Sequence, residues 1–141
     1  MAQKKHKLSV SFEDDYGILG LLSDEPDYKL CWLMNEHLNT GFSKVEDIAV
    51  FNKKAGADQL HSMFYYSDEN AMLTYRLIRN RAQNGYFLTE LKNMDYFLHI
   101  QGEVAALDTR NFIERINSLE AIRMCIPVDL TKIQQKDRFY L

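Results

Sequence analysis

Cysteine and histidine are scarce in this sequence, long apolar runs are absent, and each shortage closes off a class of protein. Two cysteines among 141 residues cannot build the disulfide framework of a small secreted scaffold. Cys31 falls in a helical pattern and Cys125 in a strand pattern, each among apolar neighbours. Both are therefore expected to be buried and reduced, although the spacing alone leaves a disulfide between them open. The longest apolar run, Ile18 to Leu22, is short and interrupted by Gly20. A bilayer-spanning helix needs roughly 20 apolar residues. Lys4, Lys5 and Lys7 precede an alternating Leu8, Val10 and Phe12, whereas a secretory signal would place a continuous apolar stretch there. The expected location is the cytoplasm. A net charge of -3 advertises no strong field for gripping phosphate backbones.

The chemistry-bearing residues are equally thin. Of the four histidines, His6, His37, His61 and His99, none lies three or four residues from another histidine or a cysteine. The local pairing common in metal sites is missing, and no metal or cofactor is expected. Gly17 and Gly20 are followed by no Gly-Lys-Ser/Thr, so no phosphate-cradling loop is recognisable. No nucleophile and base stand at a meaningful spacing, and no catalytic residue is assigned.

What the sequence does contain suits a globular domain. Hydrophobic residues make up 46% and charged residues 26%, too apolar for intrinsic disorder. A chain of this length buries about two-thirds of its unfolded surface. One α+β domain over residues 1–141 is expected. Leu8, Val10 and Phe12 alternate with polar residues as a first strand, and Ile18 to Leu22 reads as its hairpin partner across the Glu13–Gly17 turn. From Asp27 the period changes: Leu30, Leu33, Met34, His37 and Leu38 make one helical stripe. Ser23 or Asp24 is the expected cap, Pro26 fits the first turn, and Gly41 the left-handed close. Tyr28 and Trp32 stand four apart and off that stripe, which reads as a broad buried face.

Strand patterns follow at Val45–Phe51, Leu60–Tyr66 and Met72–Ile78, the last two joined by the Ser67–Asn70 turn. Arg79 to Gly85 is polar and ends in a turn signal, which marks the expected flexible point. Tyr96 to Gln101 alternates as a strand. Asp108 or Thr109 can cap a second helix with Phe112, Ile113, Ile116 and Leu119 inward. Ile122, Met124, Ile126 and Val128 close the pattern, with Pro127 pointing to an edge or strand end. The sum is a mainly antiparallel sheet of about six to seven strands with both helices on one face. The Tyr96–Val128 unit could supply one parallel pair. The other face then carries Phe97, His61, Met63 and Tyr65, which would mark an interface if uncovered.

One segment stands out, Leu88-Thr89-Glu90-Leu91-Lys92-Asn93-Met94-Asp95-Tyr96. It resembles the signature of the bacterial IPExxxVDY family. Glu90, Asp95 and Tyr96 match that pattern, Leu88 and Met94 stand in for its Ile and Val, and Thr89 replaces its proline. The His6–Asp15 opening, Asp27-Tyr28-Lys29-Leu30 and the closing Lys136-Asp137 are similar to the family as well. The resemblance implies an intracellular protein without an assigned reaction, often encoded beside pyruvate kinase and ribonuclease III. On chemistry alone, Glu90 and Asp95 are expected to accept backbone N–H bonds ahead of a strand, with Tyr96 anchoring the core. Asp95 and Tyr96, being adjacent in an extended segment, are expected to face apart.

Three functions remain. The leading one is a non-catalytic interaction or regulatory module, plausibly a homodimer or a binder of another protein, that works through the aromatic sheet face or a sheet edge. The second is a small enzyme or ligand-binding protein using Glu90 to Tyr96. The third is a weak RNA binder using the Lys4–Lys7 arm, disfavoured by Glu13, Asp14 and Asp15 beside it.

Overall fold

The computed structural model describes residues 16–141. The Leu8–Phe12 strand pattern, the Lys4–Lys7 arm and His6 lie outside the described residues. A six-stranded sheet runs in the order β2-β3-β4-β7-β1-β8. Its strands are β1 (Tyr16–Leu22), β2 (Ser43–Asn52), β3 (Ala57–Asp68), β4 (Leu73–Arg79), β7 (Tyr96–Gly102) and β8 (Met124–Pro127). Between β4 and β7, β5 (Arg81–Ala82) and β6 (Gly85–Tyr86) form a small separate hairpin. The two α-helices are α1 (Asp27–Leu38) and α2 (Thr109–Asn117). The described chain is thus α+β.

Period-two patterning assigns side chains to the two faces. Leu19 and Leu21 of β1, Phe64 of β3, Leu73, Tyr75 and Leu77 of β4, and Tyr96, Leu98 and Ile100 of β7 meet the helices. Leu30, Cys31, Met34 and Leu38 of α1 and Phe112 and Ile116 of α2 complete that layer. Both helices therefore cover one face. The opposite face, carrying Ile18, Ile78 and Phe97, is closed by Phe87, Leu88, Met94, Ile133 and Phe139.

Several expectations change here. The parallel pair within Tyr96–Val128 does not form, because β1 lies between β7 and β8 and every pairing in the sheet is antiparallel. β7 pairs with Tyr16–Leu21 and β8 with Leu19–Leu22, while the hairpin partner expected for Ile18–Leu22 lies outside the described residues. Local periodicity cannot report this, since strand order is set by long-range packing. β8 lies at the sheet edge, where Pro127 is tolerated. However, its inward residue is Cys125, while Met124 and Ile126 point outward and remain partly exposed.

The aromatic second face is not an open surface either. Phe97 and His61 are fully buried beneath Phe139 and Phe87, with ring centroids 5.6 Å apart for Phe97–Phe139 and 5.3 Å for His61–Phe87. Helix α1 begins without a side-chain cap. Pro26 itself occupies the N-cap, and its carbonyl accepts from Leu30 N–H at 2.9 Å. The helix closes at Asn39, in the left-handed region at φ 59°, two residues before Gly41. Asp108 does cap α2, accepting from Asn111 N–H at 3.1 Å. In the polar stretch after β4, β5 and β6 pair as a hairpin, with Asn52 Nδ2 donating to Asn84 O at 2.9 Å.

Candidate functional site

Leu88 to Tyr96 leads from the second-face layer into β7, and its residues divide into two groups. Leu88 and Met94 are apolar and buried, with Met94 lying over Gly20, where a Cβ would come within 2.8 Å of its sulfur. The polar members fasten other parts of the chain. Glu90 Oε1 accepts from Gln134 N–H at 2.9 Å and Gln135 N–H at 3.1 Å. Thr89 returns the contact, donating through its backbone N–H to Gln135 Oε1 at 2.9 Å. A proline at position 89 could not make that bond.

Asp95 and Tyr96 act together on a different segment. Asp95 Oδ2 accepts from Ser23 N–H at 2.9 Å, and the Tyr96 hydroxyl donates to Glu25 O at 2.6 Å. Neighbours expected to face apart thus clamp one short loop, which delivers the chain from β1 into α1. Burial pushes the Tyr96 phenol up to about 12, with Asp27, Asp95 and Glu25 adding to the rise against the opposing Arg79. At neutral pH the phenol is a donor and no base.

Asn80, which no local pattern singles out, organises the whole segment. Fully buried, it accepts from Leu88 N–H at 2.9 Å and donates to Leu91 O and Met94 O at 2.8 Å each. One amide therefore satisfies three backbone groups of the turn. Its signal was only the presence of an asparagine beside a polar hairpin.

Glu90 is directed toward the C-terminal segment, while Asp95 and Tyr96 are directed toward Ser23–Glu25. The structure does not bring the three into one constellation. The two thiols are also quiet: burial raises Cys31 and pushes Cys125 up to about 12, favouring the protonated form of each. Among the described residues, no group of three metal-ligating side chains gathers. No helix of the described chain is long and apolar enough to cross a membrane.

Two surface features lie away from the motif. The first is the outer side of α1. Only Leu30, Cys31, Met34 and Leu38 are buried in the helix, a narrow stripe. Tyr28 is 70% exposed and Trp32 59% exposed, so the broad buried face expected for them does not exist. His37, expected on the inward stripe, is exposed as well. A groove of about 490 Å³ follows the adjoining side of α1, lined by Lys29, Leu33 and His37 and by Leu119 and Ala121 beyond α2. The second feature is a cleft at the open end of β3 and β4, where Ser62, Arg79 and Arg81 meet.

No family model, curated protein or solved structure matches this chain.

Proposed function

We propose that this protein is a non-catalytic cytoplasmic interaction module that docks another protein on the outer side of α1. The observation that carries the reading is the Tyr28–Trp32 pair. Two large aromatic side chains one helical turn apart stand outside the core, beside a groove with Leu33 and Leu119 in its walls. Such residues cost little conformational entropy to immobilise and are enriched at interface hot spots. Glu90, Asp95 and Tyr96 support the same reading, because their side-chain hydrogen bonds go to backbone groups of the chain itself. The resemblance of that segment to the IPExxxVDY signature makes pyruvate kinase and ribonuclease III the first partners to test.

The test is capture of each candidate by the immobilised protein, with Trp32→Ala alongside. Truncating an exposed side chain leaves the core intact, so the variant should keep its melting temperature and lose at least tenfold in affinity. Equal capture by both forms would overturn the assignment of this surface. A mass measurement in solution separates a second copy from a different partner.

A further inference from the structure

The β2–β3 hairpin is longer than the strand beside it. β4 pairs with Met63–Asp68, so Ala57–His61 of β3 is paired on the β2 side only, and Ser62 lies opposite the irregularity between Val45 and Ile48. By strand alternation, Leu60 and Ser62 share the helix-side face of Phe64, but neither is covered as Phe64 is. Arg79 continues the Leu73, Tyr75 and Leu77 row on that same face, and Arg81 follows in β5. Together with Asp47 and Ala82 these residues line a cleft of about 370 Å³.

Three donors in this cleft are unengaged. Among the described residues, no carboxylate lies within ion-pair distance of Arg79 or Arg81. Arg81 is stacked on the Tyr86 ring, 6.0 Å from its centroid, which limits its freedom. The Ser62 hydroxyl is shielded from solvent and has no hydrogen-bond partner, an arrangement that costs free energy unless something answers it. The one acid in the lining, Asp47, is already held by Lys44 at 2.7 Å.

We propose that this cleft binds the phosphate group of a small phosphomonoester. Two guanidinium forks and a hydroxyl converging from three strands exceed what a carboxylate's two oxygens can accept, whereas a phosphate dianion offers three terminal oxygens. Arg79 and Arg81 are exposed and long, so turning onto the oxyanion uncovers the hydroxyl beneath them. Leu60 and Ala82 provide an apolar wall for the rest of the molecule. A single open cleft with two cations suits one small molecule, because a nucleic-acid strand would call for a stripe of cations along its length. This site is independent of the α1 docking surface.

The experiment is calorimetric titration of the full chain with inorganic phosphate and with phenyl phosphate, against sodium chloride at matched ionic strength. Saturable binding of both is expected, with phenyl phosphate tighter. Arg81→Gln, Arg79→Lys and Ser62→Ala should each weaken it roughly tenfold, about the loss of one charge-assisted hydrogen bond. Ser62→Ala carries a second readout: without ligand its melting temperature should hold or rise, since an unanswered hydroxyl is removed. Heat no different from chloride, or binding unchanged in all three variants, would overturn the site. Equal affinity for the two phosphates would overturn its assignment to an organic ester. Tighter binding of an RNA oligonucleotide, lost in the same variants, would overturn the small-molecule class.

Discussion

Asp95 and Tyr96 set the entry of α1 by holding the loop before it at both ends. Ser23 is buried, so removing the half-buried carboxylate takes away the protein partner of its N–H. Asp95→Ala should destabilise the fold by about 1–3 kcal/mol. Tyr96→Phe keeps the ring in the core and loses only the bond to Glu25 O, for about 1 kcal/mol. Denaturant titration at neutral pH checks both, and a neutral result for Asp95→Ala would contradict the clamp.

The buried histidines set an acid limit. His99 lies between the rings of Tyr16 and Phe139, and burial, assisted by the nearby Arg76 charge, lowers it from 6.5 to about 4 against a backbone bond to Phe139. His61 is lowered too, chiefly by burial. The folded state thus holds both rings neutral while the unfolded chain protonates them near 6.5. The His99 contribution is complete above pH 6.5 and is lost as pH falls through the window down to about 4, and the His61 contribution falls in the same direction. At about 1.4 kcal/mol per pH unit, the His99 shift corresponds to about 3 kcal/mol. Unfolding free energies measured at pH 7.5 and pH 4.5 should differ by an amount of that order, and equal values would contradict the burial of His99.

At the scale of elements, the C-terminal segment is the second face's cover. Its backbone is held by Glu90, its Arg138 donates to Phe87 O, and Ile133 and Phe139 supply the apolar contact. Phe139→Ala leaves a cavity against Phe87, Phe97 and His99 and should cost about 3–5 kcal/mol. A stability loss below about 1 kcal/mol would show that the sheet's second face does not depend on this cover.

The element scale also shows what was legible in the sequence. The strands of β3, β4 and β7 and both helices follow directly from apolar spacing, because each buries at least one face. Asp108 was readable as a cap from its chemistry. The cover over Phe97 was not, since residues 132–141 carry only Ile133 and the closing Phe139-Tyr140-Leu141 among polar neighbours. Tyr28 and Trp32 misled for the opposite reason: large aromatics are usually inside, and spacing cannot say which flank of a helix meets a sheet. Ser62 and Arg79 came together only through the unequal lengths of β3 and β4, a property of register that no local window contains.

For the whole molecule, the sheet divides the labour. One face is covered by helices except at the Leu60–Ser62 end of β3, the other by Phe87, Leu88, Met94 and the C-terminal segment, and Glu90, Asp95 and Tyr96 tie neighbouring segments in place. Among the described residues, the outer side of α1 exposes the Tyr28–Trp32 pair, the surface proposed for a partner. Trp32 is the chain's single tryptophan, so its fluorescence reports on that surface without labelling. The most direct measurement is therefore Trp32 emission during titration with purified candidate partners, paired with capture by a Tyr28→Ala, Trp32→Ala double variant. The proposed docking predicts a saturable blue shift as the indole is buried, and a double variant that folds normally yet retains no partner. A partner that binds with emission unchanged, and equally well to the double variant, would contradict it.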